Sequence, residues 1–301
     1  MNISDLKMFE AVSRQGSMNQ AARELNTVQS NVTARIRTLE EELGISLFHR
    51  HARGVSITAA GQRILPLVGQ LSKLLADIKA TARDDGTPAG TLRLGSLETT
   101  TALRLSPLLG RYTKRYPKVR FVLNTGTTQK LLEDVLNYKV EGAFVAGPIN
   151  HPDITGKVIF REEMALITST DIAAPSDLAG LPDLKTIVFQ LGCSYRQKLE
   201  AVLARNGIAT AKPLVFGSLD AILSCVSAGV GVSLLPKSLV KGPARKGQIA
   251  LHPLPKEEAM VDTLFIQRSD VYISSALAAF LEMTYDNAGS KAKKPLAATS
   301  M

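Results

Sequence analysis

Apolar residues recur at helical spacing from the start of the chain: Leu6, Phe9, Ala11 and Val12 share one side of a helix that Gly16 ends. Ser17 followed by Gln20 has the arrangement of a capping box and opens a short second helix. Its Ala21, Ala22 and Leu25 form a small-residue face that lets another helix approach closely. After a break at Asn26-Thr27, the positions Val28, Val32, Ile36, Leu39 and Leu43 predict a third helix with one apolar stripe. Residues 47–58 read as two short strands around a tight turn. From Thr58 to Arg83 a long helix follows, with Ile64, Val68, Leu71, Leu75 and Ile78 alternating four and three residues apart, a heptad seam. A copy of the same helix is the simplest cover for that stripe, so these five residues are expected to carry a homodimer.

Asp84 to Gly90 is a polar, turn-rich break, beyond which short apolar strands alternate with helical segments. Strands are expected at 91–94, 120–124, 142–146, 165–168, 186–190, 214–216, 232–235 and 263–266. Helices are expected at 102–115, 129–138, 196–206, 218–228 and 274–285. The alternation predicts an α/β domain with a largely parallel sheet. Three strand-to-helix junctions are rich in hydroxyls: 95–101, 126–128 and 192–196. Helix N-termini present free amides and a positive dipole, so Ser96, Glu98, Thr99, Thr100, Thr128, Cys193, Ser194 and Arg196 are candidate contacts for a small polar or anionic effector. The same hydroxyls serve equally as helix caps. Glu98 would repel an anion unless it pairs with Arg196 or points away, and it would suit a ligand bearing an amine.

The polar side of the third helix carries Gln29, Ser30, Asn31, Thr33, Arg35 and Arg37. Short amides and hydroxyls suit base edges in a DNA major groove, although the same pattern serves a solvated face. Arg50 and Arg53 in the following strand pair stand where phosphates or a minor groove would lie. The formal net charge of +9 favours a polyanionic partner, yet residues 1–89 hold 11 basic against 9 acidic residues, so bulk charge does not locate the contact.

With 301 residues and 45% hydrophobic content, two or three compact units are expected. The N-terminus lacks a basic segment leading into a continuous apolar one, and no stretch reaches the roughly 18 apolar residues of a membrane span, so a cytoplasmic location is expected. Two cysteines make no disulfide framework and no zinc spacing, and no cofactor or metal is expected. Two further readings of these residues are open. One is redox gating through Cys193, at a helix start, with Cys225 in an apolar stretch as its potential partner. The other is a cysteine-dependent enzyme with His151 or His252 as base, both read as surface residues that nothing positions.

Residues 1–60 resemble the winged helix-turn-helix of the LysR-type transcriptional regulators. The matching residues are Phe9-Glu10-Ala11-Val12, Gly16-Ser17, Ala21-Ala22, Leu25, Gln29-Ser30-Asn31-Val32-Thr33, Ile36, Leu39-Glu40, Leu43-Gly44, Leu47-Phe48, Arg50, Arg53 and Thr58-Ala59-Ala60-Gly61. Val28 stands where the family usually has serine, and Ser30-Asn31 where it often has Pro-Ala. The resemblance extends to Ala228-Gly229-Val230-Gly231-Val232-Ser233-Leu234-Leu235-Pro236, while Glu141 replaces the family's usual aspartate. It implies a DNA-binding domain at 1–58, a linker helix and hinge at 59–89, an α/β effector domain at 90–290 similar to the type 2 periplasmic binding fold, and a tail at 291–301. The effector domain would comprise two subdomains, 90–162 with 268–290 and 163–267, joined by two crossing strands with the pocket between them. The implied partners are double-stranded DNA with two-fold related half-sites, a small-molecule effector, and further copies of the chain in a dimer or tetramer.

Overall fold

The computed structural model describes residues 1–51, 54–82, 84–181, 183–189, 194–208 and 212–287. The chain divides into two compact units, Met1–Arg83 and Asp84–Met301.

The first unit runs α1 (Ile3–Gln15), α2 (Met18–Glu24), α3 (Gln29–Leu43), β1 (Phe48–His51), β2 (Gly54–Ile57) and α4 (Ala59–Thr81). Asn2 and Asp5 cap α1 reciprocally. Of the box expected at Ser17 and Gln20, the structure forms the hydroxyl half, with the Gln20 amide donating to Ser17 Oγ over 3.4 Å. Phe9, Val12, Ala21, Val32, Ile36, Leu39 and Leu47 are fully sequestered and meet in one core. Each large member of that core contributes about 1.5–3 kcal/mol on burial. The wing, β1 paired antiparallel with β2, is pinned to α3 by Glu40. The Glu40 carboxylate accepts from the amides of Leu47 at 2.7 Å and Phe48 at 3.2 Å.

The linker helix departs from the expected seam. Val68 is buried in the winged-helix core, with Ile64 and Leu65 packed against it. Ser72 Oγ donates to Glu10 on α1 over 3.0 Å. The first half of α4 is therefore part of the first unit's own core. The apolar stripe left in solvent is Leu67, Leu71, Leu74 and Ile78, again at heptad spacing but one step around the helix, with Leu75 half-buried.

The second unit runs β3 (Gly90–Ser96), α5 (Glu98–Thr100), a π-helical turn (Thr101–Leu105), α6 (Ser106–Arg115), β4 (Val119–Thr125), α7 (Thr128–Leu136), β5 (Gly142–Ala146) and β6 (Ile154–Thr168). Then come β7 (Lys185–Val188), α8 (Ser194–Arg205), β8 (Lys212–Val215), α9 (Leu219–Ser227), β9 (Ser233–Pro236), α10 (Lys237–Arg245), β10 (Ala250–Pro253), α11 (Lys256–Ala259), β11 (Met260–Arg268) and α12 (Ser275–Asn287). β3 lies parallel to β4 and β5, and β11 runs antiparallel to β5 and β6. The first part of β6 pairs with β11, whereas its last residues lie between β9 and β10. β7 and β8 form a parallel pair that reaches Val232 through a bridge at Thr186. The sheet is thus mixed rather than largely parallel, because β6 and β11 cross between two lobes and meet their neighbours antiparallel. One lobe packs Leu92, Leu94, Leu108, Tyr112, Phe144 and Phe280 together, and the other packs Ile187, Ile222, Val226 and Leu235.

Candidate functional site

On α3 the apolar stripe faces the core, which leaves Gln29, Ser30, Asn31 and Arg37 exposed and Thr33 and Arg35 half-buried. Val28 is the N-cap and supplies no side-chain cap, so the first amides of α3 stay open to an acceptor from outside. The short polar groups are lightly tethered: Asn31 Nδ2 donates to Thr27 Oγ1 over 2.9 Å and Gln29 Nε2 to Thr33 Oγ1 over 3.4 Å. The arginines behind them have partners within the chain. Arg35 donates to the buried carboxylate of Asp5 over 3.0 Å, Arg37 pairs with Glu41, and Arg50 reaches Glu40 at 3.5 Å. Arg35 therefore holds α3 against the start of α1, a structural task that its place on the polar face did not reveal. Arg53 lies outside the described residues.

Between the lobes of the second unit is a cavity of about 170 Å³, lined by Leu97, Glu98, Thr99, Thr125, Gly126, Thr127, Phe189, Tyr195, Phe216 and Gly217. At about 30 Å³ per water it has room for roughly five or six. Both lobes contribute, through the β3–α5 and β4–α7 junctions on one side and the β7, α8 and β8 ends on the other. The hydroxyls of Thr99 and Tyr195 lie 3.3 Å apart across the cleft. Glu98 Oε1 accepts from the amide of Leu219 at the start of α9 over 3.0 Å.

Of the residues expected here, Glu98 and Thr99 line the cavity. Ser96 is buried and donates to its neighbour's carbonyl at Leu97, and Thr100 is buried outside the lining. Thr128 accepts from the amide of Ala146 and from Ser194 Oγ, both over 3.3 Å, so these two hydroxyls fasten the lobes together instead of facing the cavity. Arg196 pairs with Glu200 at 2.8 Å and borders a separate cavity of about 10 Å³. Cys193 lies outside the described residues. The aromatic residues Phe189, Tyr195 and Phe216 were missed because each reads as ordinary core, and only the fold brings them to one wall.

His252, expected at the surface, is buried on β10 with Nε2 2.9 Å from Thr168 Oγ1. Burial pushes its pKa below the ordinary 6.5. His151 Nδ1 accepts from the Asp153 amide in a turn. Cys225 is a free, half-buried thiol. Among the described residues no group of His, Cys, Asp and Glu is placed to hold a metal, and no helix is long and apolar enough to cross a membrane.

Residues 3–62 match the family model of the bacterial regulatory helix-turn-helix protein, lysR family, and residues 85–288 match the LysR substrate binding domain. The chain is 40% identical over 287 residues to the HTH-type transcriptional regulator GltR of Bacillus subtilis (strain 168), covering 95% of this chain and 97% of that one. It is 39% identical over 294 residues to the HTH-type transcriptional regulator SoxR of Arthrobacter sp. (strain TE1826), covering 98% and 100%. Its fold matches the crystal structure of full-length CbnR complexed with its target DNA at a TM-score of 0.67, with 24% identity over 95% of this chain and 100% of that one. The relatives are named as regulators of transcription and not as enzymes. With both family models matched in order along its length, the chain belongs to the LysR family of DNA-binding transcriptional regulators.

Proposed function

We propose that this regulator acts in the cytoplasm as a dimer, associating further into a tetramer, and that a small polar effector bound between the lobes of its second unit alters its hold on DNA. Gln29, Ser30, Asn31 and Thr33 read base edges in this scheme, while Arg37, Arg50 and Arg53 hold the phosphate backbone. The dimer seam is the exposed stripe of α4, Leu67, Leu71, Leu74 and Ile78, with Leu75 beside it. The effector enters the cavity lined by Glu98, Thr99, Thr125 and Thr127 from one lobe and Phe189, Tyr195 and Phe216 from the other.

The observation that carries this reading is the cavity itself, which draws its walls from both lobes, so a ligand there bears on how the lobes are held together. An effector works only through differential affinity for two states, and a tenfold preference supplies about 1.4 kcal/mol of bias.

The test has two arms. In the first, full-length protein is used to select an operator from random DNA, and Gln29→Ala is compared with the parent on that operator and on unrelated sequence. Loss of preference at one base pair supports base reading by Gln29, and an equal loss on both sequences refutes it. In the second, a thermal-shift screen of metabolites identifies ligands that raise stability by linkage, and Tyr195→Leu is expected to abolish the shift. An undiminished shift in that variant places the effector elsewhere.

A further inference from the structure

We infer that the effector is a small organic cation, an amine or alkylated ammonium with a compact apolar body; this rests on the cleft being the effector site. Glu98 is the one charged residue among the ten described residues that line the cavity. Its carboxylate accepts a single backbone hydrogen bond, from Leu219, and has no ion-pair partner among the described residues. The rest of the cavity wall among the described residues is neutral. Arg196, the nearest cation in sequence, is engaged by Glu200 and borders the other cavity.

The helix starts around the cleft would ordinarily favour an anion. At α7 and α9 the chain occupies part of them, while α5, whose N-cap Leu97 supplies no side-chain cap, carries the Glu98 carboxylate in its own first turn. Thr127 Oγ1 accepts from the Lys130 amide and caps α7, Ser218 Oγ accepts from the Ala221 amide and caps α9, and Glu98 takes the Leu219 amide of the same helix. An incoming carboxylate would find those three amides taken and the Glu98 carboxylate beside it. An ammonium group would meet the free lone pairs of Glu98, while Phe189, Tyr195 and Phe216 supply the aromatic surface on which cations rest favourably. Thr99 and Thr125 provide further acceptors on the same wall.

Three probes of matched shape and different charge decide the matter: benzylamine, benzyl alcohol and benzoate, titrated into the full-length protein at pH 7 and followed by ligand-observed NMR. Benzylamine is expected to bind at least tenfold more tightly than benzoate. Glu98→Gln, which keeps the acceptor for Leu219, is expected to weaken benzylamine about tenfold and to leave benzyl alcohol within twofold. Phe216→Ala is expected to weaken all probes that bind. Benzoate binding as tightly as benzylamine, or benzylamine indifferent to Glu98→Gln, overturns the cationic assignment and, where Phe216→Ala still weakens binding, leaves the cleft as the effector site. Binding untouched by Phe216→Ala, or no binding by any probe, overturns both.

Discussion

Replacing Gly54 by alanine should loosen the wing far more than its small volume suggests. Gly54 has φ +135°, a conformation side chains rarely adopt, and a Cβ built there would lie 2.6 Å from the carbonyl oxygen of Gly16. That oxygen is fixed by accepting from the amide of Val55 over 3.0 Å, so relief requires either breaking this bond or shifting the end of α1. Backbone strain of about 1–3 kcal/mol adds to roughly 1 kcal/mol for the lost hydrogen bond. The loss of about 2–4 kcal/mol is a large share of the ~5–15 kcal/mol typical of a domain. It corresponds to a fall of about 10–20 °C in the melting of a unit this small. Gly44→Ala is the control, because Gly44 also has positive φ, +66°, but a Cβ there meets nothing within 4 Å. It should cost only the backbone term, roughly 1–2 kcal/mol. The reduction in unfolded-state entropy is common to both variants and cancels. Calorimetry of the full chain measures the shifts, with hydrogen exchange in α1–α3 assigning the transition. If Gly54→Ala destabilises no more than Gly44→Ala, the contact with Gly16 does not act as argued.

Arg35→Ala should cost about 1–3 kcal/mol by unpairing the buried Asp5, and the double variant with Asp5→Asn should fall short of additivity in urea melts. Leu74→Glu should convert dimers to monomers in sedimentation without lowering the melting of the first unit, whereas Val68→Ala, in the core, should lower it. The Thr263 hydroxyl is buried without a hydrogen-bond partner, so Thr263→Val should raise the stability of the second unit by about 1 kcal/mol, read as a higher denaturation midpoint. Because His252 is depressed below 6.5 in the folded state, the unfolded chain binds its proton more readily. The stability this residue confers is complete above about pH 6.5 and declines as pH falls below it. His252→Gln should flatten the drop in urea midpoint between pH 7.5 and 5.5.

The helices of the first unit were legible because each buries one stripe, and a period near 3.6 records which side that is. On α4 the same period was ambiguous, since Val68 proves to be buried in the chain's own core. Ile64 and Val68 fit a heptad whether they meet a second chain or their own core, and periodicity does not say what covers a stripe. In the second unit, α10 was missed because Gly242-Pro243 reads as a break, and β10 because its four residues end in proline. The junction hydroxyls were read as ligand contacts or helix caps, and the fold sorts them differently. Ser96, Thr128 and Ser194 bond inward, and Thr99 faces the cavity. The aromatic wall comes from three segments with no shared pattern, which only the strand pairing brings together.

With one face in its own core and the other exposed, α4 would act in the proposed dimer as a stiff drive shaft. Its first turns are sunk in the winged-helix core through Val68, and Ser72 ties it to α1. Only two residues beyond Ser72, Leu74 continues the stripe proposed for the partner helix, with no loop between. A helix turns by about 100° and advances about 1.5 Å with each residue. Torque applied at Leu71, Leu74 and Ile78 would thus arrive at Gln29 and Asn31 without slack, and a change in pairing angle would become a change in the angle between two reading helices. The spacing of half-sites is in that case gauged by the length of a helix and not by the reach of a tether.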